Sequence, residues 1–394
     1  MTKTKTVTLE NCFSLRARIG WQGLRSEEFI YAGPYLVTGT DFINGHVNWD
    51  TCYHVTMERY MQDKGIQLHE RDLLITKDGT IGKTAVVRDC PKKATLNSGV
   101  FVVRAINNEV LPEYMYYILM SHDFELYLQN IMTGSTIKHL NQENFYKFSF
   151  SVPVDTREQV KIAEVLETVD EAIDRTRDLI EKYNNIKVGL MQDLLDKGVA
   201  TPIESLCSII AGGTPSTSEA MYWDGKNVWI TPSDLSKITT PYISTSERMI
   251  TDLGVKKATN GLIPTGSVIL SNRAPVGYVA IPTVPFSCNQ GCKGLVCNAR
   301  INATYLYYCL FNSTAALQRV SSGTTFLELP KKELLRFSIC IPRDVDEQKE
   351  IADKLLAADE KIQSEREYLL RLKDIKLGLM QDLLTQKVSV EPLM

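Results

Sequence analysis

Ile186–Leu195 reads IKVGLMQDLL and Ile375–Leu384 reads IKLGLMQDLL. Nine of the ten positions match at a separation of 189 residues, with Leu377 standing where the first copy has Val188. A repeat of this kind is read before any other signal, because it says that one structural unit was built twice. The same offset carries Glu158-Gln159 onto Glu347-Gln348, Ile162-Ala163 onto Ile351-Ala352, and Asp170-Glu171 onto Asp359-Glu360. Upstream it carries Gly134 onto Gly323, Phe148 onto Phe337 and Pro153 onto Pro342, so no insertion separates the copies from Gly134 to Leu195.

The apolar spacing inside the repeat is heptad-like. The first copy runs Ile162, Leu166, Val169, Ile173, Thr176, Ile180, Tyr183, then Leu190 and Leu194. The second runs Ile351, Leu355, Ala358, Ile362, Glu365, Leu369, Leu372, then Leu379 and Leu383. Steps of four and three alternate, as in the seam of a coiled coil. No proline interrupts Glu158–Leu195 or Glu347–Leu384, so each stretch predicts one helix of some 38 residues, about 57 Å long. Thr176 and Glu365 interrupt the two seams at the same position. Either they form a polar layer that fixes register, or they mark a helix edge turned to solvent. Two helices of matched length and seam are natural partners, and antiparallel pairing is the simplest closure. That pairing would set the flanking globular segments at opposite ends of a rod.

Those segments, residues 1–152 and 201–342, are rich in short strand-like runs with Gly, Pro and Asn turns. Asp72–Val87, DLLITKDGTIGKTAVV, predicts a hairpin around Asp78-Gly79. Gly266–Ile281, GSVILSNRAPVGYVAI, has the same shape with a different tip. Asn97-Ser98-Gly99 and Asn289-Gln290-Gly291 follow at comparable distances, then helix candidates at Glu113–Leu128 and Ala303–Val320. Each half reaches a small-residue loop, Gly134-Ser135-Thr136 or Gly323-Thr324-Thr325. The order of elements is shared and the loop residues are not, as expected of two copies of one fold free to diverge. The fold class is therefore α+β: two globular domains (1–152 and 201–342) separated by two long helical segments (153–200 and 343–394) forming an antiparallel coiled coil.

Composition narrows the function. The net charge of the 394-residue chain is −3, which alone argues against a polyanionic partner, but the average hides a segregation. Residues 1–150 carry 16 basic and 16 acidic side chains, and residues 201–342 carry 12 and 8. The repeat segments 151–200 and 343–394 carry 7 and 11, and 9 and 12. The acid sits on the helices, and the globular halves are neutral to basic, which suits nucleic acid better than the total suggests. The amino terminus has no apolar signal-like run, and nothing approaches the 18–20 apolar residues of a membrane span. Nine cysteines without a pairing pattern fit reduced thiols and a cytoplasmic location.

Several motifs dissolve on inspection. Gly79–Thr84, GTIGKT, lacks the first glycine of a phosphate loop, since Lys77 occupies that position. A hairpin tip with Lys77 and Lys83 available to phosphates is the better reading. Cys288, Cys292 and Cys297 lack the spacing and fourth ligand of a structural zinc site, so buried thiols are expected. The five histidines all lie in the first half and none sits in a catalytic pattern. There is no Pro-Pro dipeptide, hence no [DNS]-P-P-[YFW] methyltransferase tetrapeptide, and no Gly-rich cofactor loop between strand and helix.

The alternation of a variable segment with a helix that opens on EQ-x-x-IA, occurring twice, resembles the specificity subunit of type I restriction–modification systems across essentially the whole chain. The P-x-x-x-x-EQ entries at Pro153–Gln159 and Pro342–Gln348 and the GLMQDLL endings carry the resemblance. So do Gly212-Gly213-Thr214-Pro215-Ser216 with Tyr222-Trp223 and Trp229, and Gly20-Trp21-Gln22-Gly23-Leu24 with Tyr35–Phe42. It implies two target recognition domains, each reading half of a bipartite site in double-stranded DNA. It also implies helices that act as spacer and docking surface for two DNA adenine methyltransferase subunits, with restriction subunits able to join. S-adenosylmethionine would be held by the methyltransferase partner, with no cofactor, metal or catalytic residue in this chain and no membrane partner. A stand-alone DNA methyltransferase or nuclease and a scaffold without nucleic acid are the competing readings.

Sequence is read at base edges, and polar loop residues on a rigid scaffold are the candidate readers. In the first domain these are Gln22, Thr38, Thr40, Asp41, Asn44, Lys77, Asp78 and Lys83. In the second they are Ser216, Thr217, Ser233, Asp234, Asn272, Arg273 and Asn289. Arg273, at a hairpin tip, is the leading candidate for a bidentate guanine contact.

Overall fold

The computed structural model describes residues 3–19, 24, 26–132, 139–273, 275–321 and 327–393. Gln22 with its Gly20–Gly23 stretch, Gly134–Thr136 and Gly323–Thr325 lie outside the described residues. Two helices of 40 residues each, α1 (Thr156–Leu195) and α2 (Val345–Leu384), occupy the repeat. Both ends of α2 are displaced from those of α1 by the offset read from the sequence. Contacts divide the chain into two compact units that cut across the long helices. The first is Met1–Arg175 with Leu369–Met394, and the second is Thr176–Tyr368.

In the first unit β1 (Thr4–Thr8) pairs antiparallel with β11 (Ser149–Pro153). A six-stranded sheet has the order β2 (Phe13–Arg16), β10 (Val100–Ala105), β7 (Leu73–Thr76), β8 (Thr84–Val86), β5 (His46–Val47), β4 (Phe42–Ile43). A smaller sheet has the order β6 (Tyr53–His54), β3 (Ile30–Val37), β9 (Ala94–Leu96), with β3 and β9 parallel. The second unit repeats this plan. β12 (Val199–Pro202) pairs with β21 (Ser338–Ile341). A five-stranded sheet has the order β13 (Cys207–Ala211), β20 (Cys292–Cys297), β17 (Ser267–Ser271), β18 (Val279–Pro282), β15 (Tyr242–Ile243). A three-stranded sheet has the order β16 (Met249–Ile250), β14 (Trp223–Ile230), β19 (Phe286–Cys288).

The central strands are apolar on both faces because both faces are covered. Leu73 and Ile75 point into one core with Phe101 and Val103, while Leu74 and Val102 point into another with Val37 and Leu96. In the second unit Val268 and Leu270 divide from Ile269 in the same way. The expected hairpins form, β7 with β8 and β17 with β18. The two helix candidates are each broken in two, Pro112–Ile118 with His122–Met132 and Ala303–Asn312 with Thr314–Arg319.

The start of one long helix and the end of the other complete each core. Ile162, Ala163 and Leu166 join Met380, Leu383 and Leu384 in the first unit. Met191 and Leu195 join Ile351, Ala352 and Leu355 in the second. Within each unit the two helical segments therefore run antiparallel. The seam position that the apolar series passes over, between Tyr183 and Leu190, holds Lys187, and its counterpart is Lys376. Lys187 Nζ donates to Asp359 Oδ1 at 2.5 Å, with side chains only 11% and 17% exposed, and Tyr308 Oη donates to Asp359 Oδ2 at 2.8 Å. Lys376, Asp170 and Tyr117 make the same cluster in the first unit, at 2.5 and 3.0 Å. Each ammonium also lies over the ring of that tyrosine. Burial, and then the carboxylate, push both phenols far above their ordinary pKa, so they act as donors. Thr176 is buried. The open alternative of a solvent-facing helix edge therefore fails for Thr176, while Glu365 stays partly exposed beside Lys361 on its own helix.

The EQ entries also have a physical reason. Gln159 is fully buried; its Oε1 accepts from Leu111 N, and its Nε2 donates to the carbonyls of Glu109 and Pro153, all at 3.0 Å. Gln348 bonds Asn302 N, Arg300 O and Pro342 O in the same way. One side chain thus ties the helix start to the strand before it and to a loop of the globular part.

Two predictions follow from these clusters. Gln159→Leu or Gln348→Leu leaves three backbone groups unpaired and costs roughly 2–5 kcal/mol, measured by urea unfolding; a loss below about 0.5 kcal/mol would contradict the tie. Lys187→Met strands a buried carboxylate and costs about 3–5 kcal/mol, much of which Lys187→Met with Asp359→Leu restores. Additive losses in that double-variant cycle would show the pair to be uncoupled.

Candidate nucleic-acid interface

The hairpin tips of the two units share one backbone frame. In the first, Thr76 N donates to Lys83 O, Gly82 N to Thr76 O, Lys77 N to Gly99 O, and Leu140 N to Lys77 O. In the second, Ser271 N donates to Tyr278 O, Gly277 N to Ser271 O, Asn272 N to Gly291 O, and Leu329 N to Asn272 O. The hydroxyls of Thr76 and Ser271 each accept from the residue that closes the loop, Lys83 N and Tyr278 N at 2.9 and 2.8 Å. Gly82 and Gly277 have φ of 85° and 107°, and a Cβ on either would meet Leu128 or Thr314 within 2.5 Å, so both positions require glycine. Position by position, Lys77-Asp78 becomes Asn272-Arg273 and Lys83 becomes Tyr278 within these shared bonds.

Neighbouring loops close around each tip. Asn97 N donates to Val37 O, as Asn289 N does to Ile230 O. Lys83 Nζ reaches Gly39 O at 3.4 Å, which places Thr38 and the exposed Thr40 beside the first tip. Lys77 is half-buried, its ammonium over Phe101 at 5.4 Å. Asp78 is exposed and bonded to His139 Nδ1. Arg273 is exposed, with Nε on Glu328 Oε2 at 3.2 Å. Asn289 lies half-buried in its turn, where Oδ1 accepts from Gly291 N at 3.0 Å. Ser216, Thr217 and Ser233 are exposed.

The motif opening the second half is held by its tryptophans. Trp229 Nε1 donates to Gly213 O at 3.1 Å and Trp223 Nε1 to Ser216 O at 3.0 Å, with the rings packed edge to face. Arg248 stacks on Trp223 at 3.6 Å. Gly213 N donates to Cys288 O, which brings the Gly212–Ser216 stretch against the loop of Asn289. Cys288 itself is buried and burial pushes its thiol up to about 12, so it stays neutral.

Three expected readers, Asp41, Asp234 and Asn272, are turned inward, and a fourth, Asn44, is exposed but sits away from the hairpin tip. Asp41, 2% exposed, accepts from Thr38 N and Oγ1 and from Thr51 Oγ1. Asp234, 7% exposed, accepts from Thr231 N and Oγ1 and from Glu247 N. Both close a capping box, and their oxygens are turned inward because free N–H groups there need acceptors. Asn272 is fully buried and its side-chain amide has no hydrogen-bond partner among the described residues, since the close packing of the frame covers the position that Lys77 half-exposes. Asn44, at φ 54°, forms with Gly45 the two-residue turn of β4–β5. It therefore lies at the far end of β8 from the tip, where Val86 N meets Gly45 O.

A family model described as the type I restriction modification DNA specificity domain matches residues 24–184 and again 199–374. The chain belongs to that family. It is a specificity subunit, a DNA-recognition component of a type I restriction–modification system. It is 36% identical over 182 residues to the MjaIX specificity subunit of Methanocaldococcus jannaschii, covering 46% of this chain and 42% of that one. The putative MjaX specificity subunit of the same organism is 25% identical over 343 residues, covering 80% and 77%. The S subunit structure from M. genitalium superposes with a TM-score of 0.61 at 15% identity, covering 97% and 96% of the two chains, which shows a shared fold. A second structure, from work on assembly of the type I system, gives 0.58 at 16% identity and covers 97% of both chains. No helix among the described residues is long and apolar enough to cross a membrane.

Sequence reasoning missed His139 and Glu328. They occupy matching repeat positions, each one residue before the leucine that closes the tip frame. The 189-residue offset was the available signal for them. Asp41→Ala and Asp234→Ala are each expected to cost about 1–2 kcal/mol, because buried donors lose their acceptor, without changing sequence preference. Normal melting with altered preference in a DNA selection assay would return these carboxylates to the reading surface.

Proposed function

We propose that each unit of this specificity subunit reads one half of an asymmetric bipartite site in double-stranded DNA through its hairpin tip and adjoining loops. The observation that carries this reading is the duplicated tip frame: identical backbone bonds hold different side chains. A conserved frame presenting divergent polar groups is what direct base readout requires, because base edges are distinguished by donor and acceptor pattern. Thr38, Thr40, Lys77, Asp78, Lys83, Ser216, Thr217, Ser233, Arg273 and Asn289 remain the proposed contacts. Lysines on the rim suit phosphate positioning and the exposed polar tips suit base edges.

In this reading residues 1–152 and 201–342 are the recognition domains. The long helices dock two copies of a DNA adenine methyltransferase subunit and set the spacer between half-sites. The repeat supports that role, since two copies of one partner need two copies of one surface. S-adenosylmethionine is held by the methyltransferase, and restriction subunits join the same assembly.

Exchange of residues 1–152 for the corresponding segment of another specificity subunit is expected to change one half-site of the methylated motif and leave the other intact. Methylome sequencing reads this directly, and a change in both halves or in neither would contradict the division of labour. Binding of the assembled complex to DNA should weaken steeply with salt, because phosphate contacts release counterions. Methylation by the chain alone, supplied with S-adenosylmethionine and DNA, would overturn the non-catalytic reading.

A further inference from the structure

The two tips carry a matched side-chain pair in which the tip residue is an acid in one unit and a base in the other. Asp78 and Arg273 are equivalent, each following the residue that bonds Gly99 O or Gly291 O. Their partners are equivalent too, His139 and Glu328 each preceding the leucine whose N–H closes the frame. Asp78 bonds His139 across 61 residues of chain, and Arg273 bonds Glu328 across 55. All four side chains are between 35% and 48% exposed, and ion pairs that exposed contribute little to stability. In the first unit the tip residue is an acceptor steadied by an imidazole. In the second it is a donor steadied by a carboxylate.

Resting on the DNA-reading function proposed above, we infer that this pair is the position at which the two units are made to select different bases. Arg273 selects guanine. Its bond to Glu328 uses Nε, and the Nη fork is the part that matches guanine O6 and N7. Glu328 is a positioning residue that sets the plane of the guanidinium. Asp78 selects a base that bears an exposed amino group, cytosine N4 or adenine N6, and His139 positions its carboxylate. A carboxylate at a DNA-facing tip is repelled by phosphate, so Asp78 is suited to base edges and unsuited to the backbone. Sign reversal at one framed position changes what is read without rebuilding the loop.

The test is selection from a randomised duplex library by the complete complex of this chain with its methyltransferase subunits. Arg273→Gln and Glu328→Gln are expected to lower guanine preference about tenfold at one position of one half-site. Asp78→Asn and His139→Gln are expected to lower amino-base preference about as much at one position of the other half-site. Glu328→Asp, which retains the charge, restores part of the guanine preference. The combined exchange Arg273→Asp with Glu328→His moves the second unit toward an amino-bearing base and tests the pair even if a single variant folds poorly. Unchanged profiles, a uniform loss across all sequences, or effects in both half-sites would each overturn the inference. A wild-type complex that selects no motif would instead sink the DNA-reading function itself.

Discussion

A buried lysine in each unit ties one long helix to the other, where the two helices complete that unit's core. Lys187 reaches Asp359 and Tyr308, while Lys376 reaches Asp170 and Tyr117. An ammonium withdrawn from water is tolerated only where its partner and the remaining lone pairs are satisfied. Here the carboxylate takes the lysine on one oxygen and the tyrosine on the other. The pair therefore discriminates sharply between registers, since sliding either helix by one residue would leave both charges buried and alone. An all-apolar seam would penalise such slippage less. The repeat was kept alike at these positions because each copy supplies the lysine for one cluster and the aspartate for the other.

From that frame outward, order is passed on by backbone bonds. Gln159 and Gln348 fasten each helix start to the globular part. The apolar strands are clamped between two cores, and they end in tips whose loops bond one another. Loops tied in this way present side chains at fixed positions with little entropy left to lose on binding. The arrangement separates two demands: the frame is fixed by glycine, hydroxyl and main-chain contacts, and the exposed groups are free to differ. The tip pairs Asp78–His139 and Arg273–Glu328 show how far that freedom goes, because even the sign of the charge inverts.

Much of this architecture was legible in the chain. The extent of α1 and α2 follows from uninterrupted heptads without proline, and the hairpins follow from paired apolar runs flanking a turn that contains glycine. Lys187 was not legible as a seam residue, because a lysine in an apolar series reads as a gap. Asp41 and Asp234 read as exposed loop acids. Only the fold shows that each faces unpaired N–H groups of a helical turn. Asn272 had the composition of a loop tip and proved to be its buried floor.

The sequence by itself determined that the protein is built twice, where its long helices lie, and which segments diverged. These are properties of local periodicity and of repetition, and both are written residue after residue. The tertiary structure alone decided which polar groups turn inward and which distant ones meet. Asp78 finds His139 and Arg273 finds Glu328 only because strand pairing brings remote loops together. No local rule specifies such a meeting, since it depends on how the whole core packs.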